Sequence, residues 1–479
     1  MTTCRLVACA LCAALIATAP LAAQTSAPPP PPPTVTGPVS AGAHGHAFRS
    51  FAVPGQDLLT PAGYVEQEFF LEGTARAYAA ASPLASDGRW SVTPASSAPY
   101  KTRLIVRRPA DASRFNGTVF VEWLNVTAGF DLDADFAYGS IELLRGGYAW
   151  VGVSAQAVGV NGGMPPGFGL KTWDPDRYGT LVHPGDSYAY DIFTQAGLAI
   201  RSASGTAPLG PLRARRLVAD GESQSAGRLV TYVNALQRSA RVFDGILIHS
   251  RSARSAPLSQ APLADIPTPT PVFIRADLDT PVLVVQSETD VPGSVDARQP
   301  DSATFRQWEI AGTAHVDRYM SDVSNPITRR DLPTFPGFPC EKPYNDGPHH
   351  WVFQAALHAL DRWMATGTPP PPARPIETRP GPPAIVARDA SGNALGGIRT
   401  PHVDVPIATL SGTGNTPAGL CALFGTTTPF DREALRTLYP NDSYRSRFER
   451  ATADAVREGF ILAADVDAVN AGAVPPAGR

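Results

Sequence analysis

What the 479-residue chain lacks narrows its chemistry first. It has no long basic or acidic run, and its 40 Lys and Arg stand against 43 Asp and Glu, a formal charge of −3. Binding nucleic acid or an anionic membrane needs a clustered cationic face, so neither is expected as its main partner. Cysteine is nearly absent: of five, Cys4, Cys9 and Cys12 fall in an apolar leader, leaving Cys340 and Cys421. Two thiols with no histidine cluster at matching spacing do not make a metal site, so no metal is expected, and no cofactor. In an oxidising compartment the pair is expected to form a disulfide. Closing a loop of roughly 80 residues would stabilise the fold by about 4 kcal/mol in the chain-entropy model. No apolar stretch is long enough for a stable membrane span, and no internal repeat is present.

What is there begins with that leader. Arg5 supplies a positive start, Leu6 to Ile16 an apolar centre, and "APLAAQ" a small-residue cleavage site after Ala23. This is the pattern of a signal peptide over residues 1–23, which predicts a secreted or periplasmic protein. Residues 24–40, "QTSAPPPPPPTVTGPVS", are expected to form a Pro-rich tether rather than a folded element. A second tract, "GTPPPPARP", marks the end of a core spanning residues 41–368. Residues 369–479 are then a linker and a helical segment packed on that core.

Within the core, short β-branched apolar runs alternate with helical stretches. "GTVFVEWLNV", "YAWVGVSAQ", "RRLVADG", "FDGILIHS", "TPVLVVQSETD" and "FRQWEIAGTAH" are nearly continuous in apolar residues, as strands covered on both faces should be. "SYAYDIFTQAGLAIRSA", "SAGRLVTYVNALQRSA" and "HHWVFQAALHALDRWMATG" carry helical periodicity. Two earlier runs, "VEQEFFLEGTARAY" and "TRLIVRRP", lack a helix between them and predict an antiparallel start. The fold class is α/β: about eight strands in a mostly parallel sheet flanked by helices, the count of an α/β-hydrolase core.

An open sheet of this kind keeps its active site beyond the carboxyl ends of its strands. In "VADGESQSAGRLV", Ser223 stands where the strand stops and a helix begins, as a nucleophile elbow requires. Gly221 gives the turn its clearance, and Ser225 meets the need for a small residue where the usual motif has glycine. Ser154 and Ser187 also follow Gly-x, but the first lies in a strand and the second opens a helix. A serine needs a base, and His315, in "WEIAGTAHVD", ends the last strand among small residues. The acid should follow the preceding strand, where "QSETD" offers Asp290, with Glu288 as the alternate. Two amides should hold an oxyanion: that of Gln224, and one near Asn125 or Val126 after "VFVEWLNV". Glu122, a carboxylate inside that apolar strand, is expected to pair with a buried arginine or to brace the oxyanion loop.

Taken together, "VEWLNV", "HPGDSYAYDIFTQAG", "DGESQSAGR", "SETD", "GTAH", "NDGPHH" and "FGTTTPFDREALRTLYP" resemble the bacterial alpha/beta hydrolase domain-containing proteins over nearly the whole mature chain. The resemblance implies the hydrolase fold and triad roles for Ser223, His315 and Asp290 or Glu288. "GESQSA" also resembles the elbow of cutinase-like esterases, with Ser225 in place of a glycine. The expectation is an exported serine hydrolase for a small, neutral, partly apolar carboxylic ester, with residues 157–186 as a lid or pocket loop. Amide or lactone hydrolysis would use the same triad, and a non-catalytic binding protein could keep the same fold. Activity should rise with pH as the histidine deprotonates, near pH 6 to 7 for an unperturbed imidazole, about 6.5. Oligomeric state is not legible.

Overall fold

The apolar runs pair into one ten-stranded sheet. In a computed structural model, which describes residues 32–473 apart from 41, 164–167, 203, 417 and 418, the strands are β1 (Thr34–Thr36), β2 (Tyr64–Ala80), β3 (Val92–Pro109), β4 (Thr118–Trp123), β5 (Ala149–Val153), β6 (Ser204–Gly205), β7 (Arg216–Glu222), β8 (Gly245–His249), β9 (Val282–Ser287) and β10 (Phe305–Ile310). Their order is β10-β9-β8-β7-β4-β5-β3-β2-β1-β6. From β10 to β5 all pairs are parallel, and β3 and β2 add the antiparallel side. The leader and residues 24–31 lie outside the described residues. One part of the expected tether belongs to the sheet instead: β-branched Thr34-Val35-Thr36 pairs with Phe70 to Glu72, and Val35 is buried.

Helices cover both faces. On one lie α1 (Ala134–Arg145) and α5 (His349–Thr366); on the other lie α2 (Ala189–Arg201) and α3 (Gln224–Tyr232). Period-two alternation assigns the strand residues: Val119, Val121 and Trp123 of β4 pack with α2 and α3, while Phe120 and Leu124 pack with α1 and α5. Glu122 falls on the second face, where the pattern calls for an apolar side chain. No arginine meets it. Its carboxylate accepts the Asp135 and Phe136 amides at 3.1 and 2.9 Å and the Trp150 indole N–H at 2.9 Å. Those amides are orphan donors of the first turn of α1, so the expected ion pair is replaced by a cap supplied from the sheet.

The chain leaves β4 through α1 to β5 on one side and later returns through α2 to β7 on the other. Loops therefore diverge beyond the carboxyl ends of β4 and β7, which opens a crevice there. Helix α4 (Arg318–Asp331), which contains Pro326, follows β10. The C-terminal segment carries α6 (Tyr444–Glu458), buried through Tyr444, Phe448 and Ala455. It also sends Gly412 against the turn after β9, where an added Cβ would lie 2.7 Å from the Glu288 carbonyl carbon.

Candidate active site

The turn after β7 is built by exclusion. Ser223 has φ 61° and ψ −114°, a left-handed backbone rare for a residue with a side chain. Its amide donates to the His249 carbonyl at 2.9 Å, and α3 begins at the next residue. A Cβ at Gly221 would lie 3.1 Å from the Cβ of Ser225 and 3.3 Å from Leu229. That closeness explains why both positions carry small residues.

Ser223 Oγ lies 2.8 Å from His315 Nε2, and His315 Nδ1 lies 2.6 Å from Asp290 Oδ1. The imidazole is held by its own backbone as well: its amide donates to Thr289 Oγ1 at 3.2 Å, and its carbonyl accepts the Tyr138 hydroxyl at 3.0 Å. Asp290 Oδ2 takes the Ser287 amide and hydroxyl at 3.0 and 2.7 Å. Burial disfavours the Asp290 charge, but His315 and then Ser287 outweigh it and hold the carboxyl down to about 2. Burial likewise opposes charge on His315, yet Asp290 and Glu222 raise its pKa well above the ordinary value.

Glu288, the alternate acid, points elsewhere. It accepts the Gly312 and Gly412 amides at 2.8 and 2.9 Å and pairs with Arg388 at 2.8 Å. It ties the C-terminal segment to the acid turn. Of the two carboxylates in "SETD", one reaches the imidazole and the other anchors the chain.

Asn125 also departs from expectation. Its amide is spent on the Leu132 carbonyl at 2.9 Å, and its side-chain N–H groups go to the carbonyl and carboxylate of Glu222 at 3.0 and 2.9 Å. With no donor left over, it clamps the loop to the elbow rather than facing an oxyanion. The amides of Gln224 and Val126 have no protein acceptor among the described residues. The loop between β4 and α1 is fixed by alternate acids: Asp131 pairs with Arg103 at 3.0 Å, and Asp133 with Arg49 at 2.9 Å and Arg107 at 2.7 Å.

Asp135, the third of these acids, reaches behind the elbow. Its Oδ1 lies 2.6 Å from His249 Nδ1, His249 Nε2 lies 3.0 Å from His349 Nε2, and His349 Nδ1 lies 3.2 Å from the Ala314 carbonyl. Counting protons from that carbonyl inward gives one consistent arrangement of neutral rings. His349 Nδ1 donates, so His349 Nε2 accepts; His249 Nε2 then donates, and its Nδ1 accepts from a protonated Asp135. The environment agrees. Burial and the Glu222 charge raise Asp135 well above its ordinary value, and burial lowers His249 to about 4. This neutral chain underlies Ala314, the residue before His315.

Residues 35–471 match the model of the alpha/beta hydrolase domain family. The chain belongs to this family. Among solved structures it is similar to a lid-free serine hydrolase from Xanthomonas campestris at 13% identity, covering 55% of this chain and 97% of that one, with a TM-score of 0.27. A carboxylesterase from Lactobacillus plantarum shows 10% identity over 54% and 79% of the two chains, TM-score 0.26. A glucuronoyl esterase from Solibacter usitatus shows 11% identity over 64% and 88%, TM-score 0.29. Likeness at this level carries no argument about substrate. No curated protein matches the chain.

In this alpha/beta hydrolase, Ser223 and His315 open onto a cleft enclosing about 790 Å³, its mouth included. The floor is formed by the 125–134 loop and Tyr138, one wall by Met320, Ser324 and Thr328 of α4. The rim comes from Phe335 and Phe338 on one segment and Leu420, Leu423 and Phe424 on another. Residues 157–186, expected as the lid, do not line it among the described residues. Phe168, Trp173 and Tyr178 pack one layer behind, with Phe168 against Phe130 and Phe335. The true rim is clipped by the Cys340–Cys421 disulfide, whose Cα atoms are 5.5 Å apart. No helix of the described residues is long and apolar enough to cross a membrane, and no group of three or more potential metal ligands occurs among them.

Three groups near the nucleophile escaped the sequence reading. Glu222 stood within the quoted elbow, its side-chain direction undetermined. Asp131, Asp133 and Asp135 carried a signal, the period-two acids of "DLDAD". The His249–His349 pair had none, because its partners are 100 residues apart.

Proposed function

We infer that the chain is a serine hydrolase that cleaves carboxylic esters. One observation carries the reading: the unbroken line of contacts from Ser223 through His315 to Asp290, at 2.8 and 2.6 Å, facing an apolar cleft. Ser223 Oγ attacks the ester carbonyl while its proton passes to His315 Nε2. The Gln224 and Val126 amides, both without a protein acceptor, are the donors proposed for the oxyanion. The tetrahedral intermediate collapses, and the leaving alcohol takes the proton from His315. Water then attacks the acyl-Ser223 ester by the same route and frees the acid. Asp290 holds the imidazole with Nδ1 protonated and stabilises the imidazolium; it does not take the proton itself.

The substrate proposed is a small, neutral, partly apolar ester. The cleft is lined by Phe130, Phe335, Phe338 and Phe424, and among its described lining residues no Lys or Arg stands ready to bind an anionic ligand. Export to the periplasm or beyond is part of the same reading, supported by the leader composition and by the disulfide, which persists in an oxidising compartment. A panel of p-nitrophenyl esters of rising acyl length, run beside the matching anilides, tests the assignment. Turnover of esters with little or none of anilides is the expected result. Faster anilide cleavage would make the protein an amidase, and no turnover of either, a binding protein.

A further inference from the structure

Glu222 is the residue that the reaction above leaves without work. It precedes the nucleophile and lines the cleft, and its Oε1 lies 2.8 Å from His315 Nε2, the nitrogen that Ser223 Oγ also meets at 2.8 Å. A neutral imidazole with its proton on Nδ1 toward Asp290 presents a lone pair at Nε2. A lone pair and a carboxylate oxygen repel at that distance, so the contact requires a proton between them. Glu222 Oε2 is already occupied as an acceptor of the Asn125 side-chain N–H at 2.9 Å, and imidazole is ordinarily the stronger base of the two groups, so the proton belongs to Nε2.

We propose that Glu222 is a positioning residue that captures His315 as imidazolium in the resting enzyme and releases it as base only when that proton leaves. The proposal rests on the serine-hydrolase reading. No other group around the ring meets Nε2 as Glu222 does. Asp290, on the turn after β9, favours the same charge but through the opposite nitrogen, Nδ1, and Tyr138 of α1 meets only the main-chain carbonyl. Asp317, at the start of α4, turns its carboxylate to the Met320 amide. His249 of β8 and His349 of α5 belong to the neutral chain behind Ala314. The direction of the His315 shift, upward under Asp290 and Glu222 together, agrees with this arrangement.

Two consequences follow. A protonated His315 cannot accept the serine proton, so activity rises with pH through a value above the ordinary imidazole range rather than near 6 to 7. The imidazolium formed during acylation meets the same carboxylate, so Glu222 also stabilises charge that develops in the transition state. Removing it should free the base earlier and make it weaker.

The test is the pH profile of kcat/KM for wild type and Glu222→Gln, which reports the free-enzyme base. The acid limb is expected to move down by about 1 to 3 pH units, the range for loss of one adjacent opposite charge, while the plateau falls. Glu222→Asp should keep much of the wild-type limb. An unmoved or upward-moving limb in a Gln variant that still turns over ester overturns the proposal and leaves the triad reading intact. An inactive Ser223→Ala is the control for that reading, since activity in it would sink the triad itself. If Glu222→Gln does not fold, the His315 ring protons are followed by NMR in Asp290→Asn, where Glu222 is the carboxylate left on the ring. Titration still above the ordinary value of about 6.5 supports the capture, and titration at or below it overturns it.

Discussion

The floor of the cleft and its rim are built by different physics. The floor, residues 124–135 with the elbow, is over-determined by buried polar groups. Three alternate acids each have a named partner, Glu122 caps α1 from inside the sheet, and Asn125 bonds both its own loop and Glu222. The rim is made of the segment 332–345 and the short 3-10 turn Gly419–Leu423 with Phe424, which meet through Phe338 against Phe424, Tyr344 against Phe424, the Asn345 amide donating to the Phe424 carbonyl at 2.9 Å and one disulfide. Catalysis needs donors and bases fixed before the substrate arrives, and dense charge pairing supplies that rigidity. Substrate entry needs apolar surface that can give, and a rim joined by ring contacts, one covalent link and single main-chain hydrogen bonds such as Val316 to Leu423 has fewer fixed polar partners than the floor. The difference teaches where changes in rate and changes in binding should come from.

The strongest break of that contrast lies at the floor. Arg103 is buried between Glu68 and Asp131 at 3.1 and 3.0 Å, and its Nε donates to Ser154 Oγ at 3.1 Å. Arg103→Met leaves two buried carboxylates without their shared cation, and it should cost about 3–5 kcal/mol of stability. The loss is measured as a shift of the urea midpoint at unchanged slope. A variant as stable as wild type would mean the floor does not depend on its ion pairs. A smaller effect is expected at the rim. Replacing Cys340 and Cys421 together by serine removes a cross-link spanning 81 residues and should cost about 2–4 kcal/mol. Its kinetic signature separates the two regions: KM should rise several-fold while kcat stays close to wild type. An equal fall in kcat would show that rim and floor act as one unit.

Legibility in the sequence follows the same division. Elements set by local pattern could be read ahead of the structure: the apolar strands, the elbow at Gly221 to Ser225, and the histidine and carboxylate at the ends of β10 and β9. What could not be read depends on partners distant in the chain. Which of Glu288 and Asp290 faces the imidazole depends on Arg388 and Gly412, 100 and 124 residues beyond Glu288. Asn125 looked like a donor for substrate because its claims on Leu132 and Glu222 are visible only in three dimensions. Helix α4 was missed because Pro326 and a polar composition hide its apolar stripe of Met320, Val323 and Ile327. Residues 157–186 have the composition of a pocket wall, yet their aromatics complete the layer beneath one. The strand Thr34–Thr36 was hidden by the proline tract that precedes it.

The account turns on whether Ser223 is a nucleophile driven by the groups that surround it. The direct measurement is the rate and position of labelling by a fluorophosphonate, mapped by peptide mass in wild type, Asp290→Asn and Glu288→Gln. The account predicts a single adduct on Ser223 in the wild type. Asp290→Asn should label about 10⁴-fold more slowly, as expected when the imidazole loses its orienting carboxylate. Glu288→Gln, changed only at the anchor, should keep a rate near wild type when folded. No adduct on Ser223, or an adduct whose rate ignores Asp290, would contradict it.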